Sequence, residues 1–405
     1  MNWETVQLGS LCRFQGGSAF PRDEQGKVSG EFPFIKVSDM TLPRNAKHIV
    51  VANNWVDQST VTKLRLKPSP AGSIVFAKIG EGLKAERLRI LTRPTILDNN
   101  MMAAVPSSNA DASFLFFLLE HLHIADYAEG SALPYLRASD LSNLPVALPV
   151  IDEQRGIAAT LGALDDKIES NRRAVELIKR LLVLEFQKLL STESVDYQPL
   201  SELTSITKGI SYKSADLQPS RTSLVTLKSF DRNGGYKADG LKQYVGPYKA
   251  QQMIDPGEVV VAQTDLTQGA EVVGRAVRVP ADSSADVLVA SLDLVIVRPN
   301  VEITPEYLLG VLVDESFREH CRSRTSGTTV LHLAGDAIPS YLAPIVCVSA
   351  QQSFSDLSHP LIARTDSLNI ETVRLMSLRD TLLPELLSGR IRVPEAHETV
   401  QEVIA

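Results

Sequence analysis

Two long stretches with an apolar residue at every third or fourth position dominate what this chain can fold into. "LDDKIESNRRAVELI" begins at Leu164, and "LIARTDSLNIETVRLMSLRDTLLPELL" begins at Leu361. Each follows a longer region rich in strand and turn signals. A 3-4 alternation of apolar residues is the mark of helices packed lengthwise on one another. In the first helix the seam is Ile157, Leu161, Leu164, Ile168, Val175, Ile178, Leu182, Phe186 and Leu189. Asn171 holds one seam position, where a buried amide can fix register. With Asp152 as N-cap and Leu190 as its end, this helix spans roughly 58 Å. The second seam runs through Leu361, Leu368, Leu375, Leu382 and Leu386. Ser349 and Gln352 have capping-box spacing at its start, Pro360 is expected to break it early, Pro384 to kink its last turn and Gly389 to end it. Such seams outreach a lobe with a radius of gyration of roughly 15 Å. The two helices are therefore expected to pack antiparallel on each other.

The regions before the two helices match each other in order. "LGSLCRFQGGSAF" from Leu8 pairs with "LSELTSITKGISY" from Leu200, setting Gly17 against Gly209 and Phe20 against Tyr212. "FIKVSDM" pairs with "LVTLKSF", "PAGSIVFAK" with "DPGEVVVAQ", and "NNMMAAVP" with "LDLVIVRP". "FLFFLL" and "YLLGVL" read as equivalent short helices, followed by "EGSALPYL" and "SGTTVLHL". "DEQRGIAATL" from Asp152 and "AQQSFSDLSHPL" from Ala350 then open the long helices. Seven ordered matches make a tandem duplication. The expected fold is α+β: two similar lobes, residues 1–150 and 193–348, separated by two long antiparallel helices, 151–192 and 349–390, in a pseudo-twofold arrangement with a 391–405 tail.

The net charge of −7 hides two basic stretches. Lys36–Arg93 holds 11 basic and 4 acidic residues, and Lys208–Lys249 holds 8 and 3. Screening confines each charge to roughly 8–10 Å at physiological salt, so local balance decides phosphate binding. Solvated strand faces would give the same count. Cys12, Cys321 and Cys347 have neither metal nor redox spacing. The longest apolar runs are too short to cross a bilayer, and "NWETVQL" after Met1 has no signal-peptide character, so a cytoplasmic location is expected.

Catalytic signatures are not found. "FQGGSAF" and "AKIGEGLKAERL" fit neither a dinucleotide fingerprint nor a P-loop and read as turns. His121 and His123 point to different faces if helical, and His320 beside Cys321 lacks further ligands at zinc spacing. Neither GxSxG nor HExxH occurs, and "LDNN" and "SLDL" are not the acidic loop of an amino-methyltransferase. A binding module is the expected class.

"PVIDEQRGIAATLGALDDKIESN" from Pro149, "LLPELLSGRI" from Leu382, "GSLCRFQGG" and "GSALPYL" together resemble the specificity subunit of a Type I restriction-modification system. The second helix departs from that pattern, with "AQQSF" and "LIART" in place of "EQ..I" and "LDDKI". The resemblance implies a non-catalytic DNA-binding subunit whose lobes are target-recognition domains reading the halves of a bipartite double-stranded target. It implies two methyltransferase subunits docked on the helices, and restriction/translocase subunits beyond them. No cofactor is implied in this chain; S-adenosylmethionine, ATP and Mg are implied in the partners. Phosphate-contact candidates are Lys36, Arg44, Lys47, Lys63, Arg65, Lys78, Lys84, Arg87 and Arg89, with Lys208, Lys213, Lys228, Arg232, Lys237 and Lys242 in the second lobe. The Gly130–Ser131 and Gly327–Thr328 turns are candidate phosphate cradles. Ordinary solvation explains any single one of these equally well. A two-headed structural adaptor binding proteins through its lobes, and a stand-alone enzyme, are the competing readings.

Overall fold

The computed structural model describes residues 3–130, 132–231, 235–265, 269–281, 285–328 and 330–404. The chain divides into two compact units, Met1–Ser170 with Glu371–Ala405, and Asn171–Ile370. Each unit holds one lobe and about half of each long helix, rather than lobes set apart from a separate spacer. The reason is in the first core, where Phe114, Phe117 and Leu141 of the lobe pack with Leu161 and Leu164 of one long helix and Leu382 and Leu386 of the other. Lobe and helices bury one another's apolar faces, so neither is a packing unit alone.

In the first unit a five-stranded sheet runs in the order Cys12–Gly16, Met101–Pro106, Ile74–Ala77, Arg89–Leu91, His48–Ile49. Ile74–Ala77 is buried throughout, as befits a central strand of β-branched and aromatic residues. A smaller sheet joins Asn54–Val56, Phe32–Ile35 and Ile96–Leu97. The helix Ala112–His121 is apolar on nearly every side and buried from Phe114 to Leu119. Asp111 caps it, accepting from the backbone N–H groups of Ser113 and Phe114 at 2.9 and 3.0 Å.

The second unit repeats this plan. Thr204–Lys208, Leu294–Pro299, Val259–Ala262 and Ala276–Arg278 form one sheet, and Lys242–Gln243, Thr222–Val225, Val287–Ala290 and Met253–Ile254 another. Cys12 lies opposite Pro106 and Thr204 opposite Pro299, so the registers agree residue by residue. The aligned glycines have one cause. A Cβ on Gly17 would lie 1.9 Å from the Asp98 carbonyl oxygen, and one on Gly209 2.0 Å from that of Ser291. Backbone approaches backbone at both places, and only glycine fits.

The long helices are Ile151–Thr192 and Val348–Leu387. Within the first unit they run antiparallel: Asp165 pairs with Arg379 at 3.2 Å, and Lys167, further along, with Glu371 at 3.1 Å. Of the seam residues, Leu161, Leu164, Ile168, Asn171, Val175, Leu368, Leu375 and Leu382 are buried, while Ile178, Leu182 and Leu361 are half-buried.

Several local expectations need correcting. Pro360 does not break the second helix, which continues for 27 residues from it to Leu387. An interior proline costs about 3 kcal/mol. Buried Phe354 and Leu368 anchor the helix on either side and offset that loss. Pro384 also lies inside the helix, and Gly389, at φ +71°, follows its end. Asp152 is not the N-cap, because the helix starts at Ile151 and Gln154 N–H already bonds the Val150 carbonyl. Ser349 and Gln352 do not form a capping box; Ser349 meets Cys347 Sγ and Gln352 donates to Asp356. The stretch after residue 390 is a helix, Val393–Ile404, whose Val393 fills the space beside Gly156.

The departure at the start of the second helix is a one-residue shift rather than a loss. Gln154 Oε1 accepts from Asp111 N–H at 2.9 Å, and its Nε2 donates to the carbonyls of Asn109 and Pro149, both at 3.0 Å. Gln351 accepts from Thr304 N–H at 3.3 Å and donates to the carbonyls of Glu302 and Val346 at 3.5 and 3.1 Å. Both amides are buried and lock a lobe helix to a long helix in the same way.

Candidate nucleic-acid interface

The basic candidates sort by what their side chains already hold. Lys47 is committed inside its unit: it pairs with Asp165 at 2.9 Å and lies over the Phe117 ring at 4.6 Å. Arg89 is likewise a staple, donating to the carbonyls of Asn45, Leu88 and Met40, and burial pulls its pKa down. Lys63 pairs with Glu24 at 3.1 Å, and this hydrogen bond leads the causes that hold the Glu24 carboxyl below its usual range. Lys84 pairs with Glu81 one turn back. Lys36 donates to Gln25 Oε1 at 2.6 Å and lies over the Phe20 ring. Arg44, Arg65 and Arg87 are exposed and have no hydrogen-bond or ion-pair partner among the described residues. Of the candidates in the first lobe, these three are the side chains most open to a phosphate.

In the second lobe Lys208, Lys213, Lys228 and Lys237 are exposed, and Lys242 donates to the Tyr212 hydroxyl at 2.9 Å. Phe20 and Tyr212, aligned from the sequence, each lie beneath a lysine, but from non-equivalent positions. Arg232 and Ser131 lie outside the described residues. Gly130 and Gly327 have φ of +88° and +122°, the left-handed turn geometry that their neighbours could not adopt cheaply. Thr328 is a bend in the loop joining Thr325–Ser326 to Leu331–Leu333.

The strands place Lys78 at one end of the first sheet. Gly16 pairs with Met102 and Ala77 with Met101, so Lys78 emerges from this sheet end, whereas Lys36 leaves the smaller sheet, where Ile35 pairs with Leu97. The 129–135 hairpin closes on Lys78: Gly80 N–H bonds the Pro134 carbonyl and Leu136 N–H the Lys78 carbonyl, at 2.8 and 2.9 Å. Arg137 follows this hairpin at the start of the helix Ala138–Ser142, bonded to the Tyr135 hydroxyl at 2.7 Å and Glu129 at 2.8 Å. Sequence reasoning passed over Arg137, Tyr135 and the Arg93–Trp55 stack. The aligned "EGSALPYL" and "SGTTVLHL" segments were the signal that marked the hairpin.

The second unit also has a groove of about 380 Å³, lined by Val259, Leu308 and Ile362, by the ion pair Arg278–Asp366 at 2.9 Å and by the His359–Glu306 contact at 3.0 Å. None of the basic candidates lines it. Among the described residues no three His, Cys, Asp or Glu side chains gather as a metal site, and no helix is long and apolar enough to cross a membrane.

Residues 1–180 match the family model described as Type I restriction modification DNA specificity domain. The chain is 26% identical over 184 residues to the Type I restriction enzyme MjaIX specificity subunit of Methanocaldococcus jannaschii, covering 44% of this chain and 41% of that protein. It is 24% identical over 184 residues to the Type I restriction enzyme EcoDI specificity subunit of Escherichia coli, covering 45% and 35%. The match thus spans about two fifths of the length of these curated relatives. The crystal structure of a Type I restriction-modification system S subunit from M. genitalium superposes with a TM-score of 0.61 at 16% identity, covering 96% of both chains. Over its first 180 residues the chain is similar to the Type I restriction modification DNA specificity domain family, and over 96% of its length it has the same fold as the M. genitalium S subunit.

Proposed function

We propose that this chain is the sequence-specific DNA-binding subunit of a Type I restriction-modification assembly. Each lobe reads one half of a bipartite duplex target, and the paired long helices fix the gap between the halves. The observation that carries this reading is the repeated lobe frame: the same register, the same backbone-crowded glycine and the same glutamine lock occur twice, while the exposed side chains differ. A protein that must recognise two unlike sequences with one geometry has this construction. The chain itself carries no catalytic role in this reading. Two methyltransferase subunits, with S-adenosylmethionine, modify adenine, and restriction/translocase subunits use ATP and Mg; the setting is the cytoplasm. Half-sites about one helical turn apart, roughly 34–36 Å, suit a two-headed reader.

The test is to replace residues 1–150 by the corresponding lobe of another specificity subunit and to map methylated adenines in cells carrying the methyltransferase. One half of the methylated sequence should change and the other should persist. A change in both halves, or in neither, would count against modular reading. Binding to duplex DNA should fall steeply with salt. An adaptor that only binds proteins through its lobes would show no such dependence.

A further inference from the structure

A reader of two different half-sites must hold its backbone alike in both lobes and change its side chains. The residue leaving the central strand pair of each main sheet meets both conditions. Lys78 N–H bonds the Asn100 carbonyl at 2.8 Å, and the Lys78 carbonyl accepts from Leu136 N–H at 2.9 Å. Gln263 N–H bonds the Asp293 carbonyl at 2.8 Å, and its carbonyl accepts from Leu333 N–H at 2.8 Å. The following residues also correspond, Ile79 bridging Tyr135 and Thr264 pairing with His332. Both backbone groups are therefore fixed identically at each position.

The side chains are not alike. A lysine carries donors only, whereas a glutamine amide carries donors and an acceptor. Both are half-buried, and neither has a side-chain hydrogen-bond partner among the described residues. The segment that closes on each of them bonds its backbone carbonyl and leaves the polar tip without a protein partner among the described residues. Lys78 Nζ lies beside Gly16, 3.6 Å from where a Cβ on that residue would stand, an ordinary contact distance. In the second sheet the position equivalent to Gly16 is Lys208, opposite Val295 as Gly16 is opposite Met102. Each lobe so keeps one cation at this sheet end, while the hydrogen-bonding character of the preorganised position changes.

We propose that Lys78 and Gln263 are corresponding base-reading residues. Lys78 donates to the O6 and N7 acceptors of a guanine in one half of the target. Gln263 makes the paired donor and acceptor contacts of an adenine in the other half. This rests on the DNA-reading function proposed above, and names the groups that carry it.

The experiment binds the full chain, alone and assembled with a Type I methyltransferase subunit, to a randomised duplex library, and counts the sequences retained. Lys78→Gln should lower the preference for guanine at one position of one half-site by roughly 10- to 100-fold and leave the other half unchanged. Gln263→Lys should do the same to an adenine of the other half. Lys78→Arg, which keeps guanine-directed donors, should keep the guanine. A Lys78→Gln variant that weakens every sequence equally and flattens the salt dependence would make Lys78 a phosphate contact and overturn the inference. Unchanged preferences in both variants would overturn it as well. Lys78→Met, which keeps the stem and removes the donors, gives the same readout by a second route, and thermal unfolding of each variant separates lost reading from lost folding. A wild-type chain that selects no sequence is a different result: it removes the DNA-reading function itself, and this inference with it.

Discussion

Among single residues, Glu120 shows how burial sets chemistry. Its carboxyl lies 3.8 Å from Arg379, which also meets Asp165 at 3.2 Å, and Asp165 in turn holds Lys47 at 2.9 Å. Glu120 Oε2 is shielded from water without a hydrogen-bond partner. Burial raises the Glu120 pKa above its ordinary 4.5, against the pull of Arg379 and Lys47; Asp165 and Asp380 push the same way as burial. A raised carboxyl pKa favours the protonated form in the folded state, so this group costs stability as pH climbs from 4.5 through the raised value. Glu120→Gln, neutral throughout, should flatten that slope; melting temperatures of both proteins at pH 4 and 7 measure it. An unchanged slope would show that another group controls it. Gly17→Ala and Gly209→Ala should each destabilise by about 3 kcal/mol, because the added carbon has only backbone to displace. Chemical denaturation of the two variants tests whether the two lobes respond alike. The glycine pair was visible in the aligned sequence. The charged cluster was not, since Lys47, Glu120, Asp165 and Arg379 are scattered along the chain and only folding brings them together.

Among elements, the long helices were legible from their apolar period, whereas their starts and interruptions were not. Capping residues compete with whatever the neighbouring lobe offers. Here buried glutamines one turn into each helix bind the chain that precedes them, and this interaction outweighs the caps expected from Asp152 and Ser349. Gln154→Ala should leave one N–H and two carbonyls without partners and cost about 3 kcal/mol. Gln351→Ala should cost a similar amount in the other unit, and urea unfolding of each variant checks the equivalence. Pro360 teaches the complementary lesson. Propensity argues for a break, but apolar anchors before and after it hold the helix straight through. Pro360→Ala should therefore raise the melting temperature by restoring the bond to the Asp356 carbonyl.

At the scale of the whole molecule, the proposed function makes helix length a ruler. Removing one seven-residue repeat shortens each long helix by roughly 10 Å, which is about three base pairs of duplex. Methylation mapping of such a variant should show both half-sites unchanged and their gap reduced; altered half-sites with an unchanged gap would refute the ruler. The sequence alone determined the duplication, the α+β lobes and the long helical struts, because hydrophobic period and turn chemistry are local and recur in order along the chain. Only the tertiary structure decided that each lobe shares its core with both helices, that Gln154 and Gln351 are the same lock in shifted register, and which basic side chains are already engaged. Those facts depend on which distant residues meet when apolar surface is buried. A count of charges carries no information about a partner that lies more than a hundred positions away.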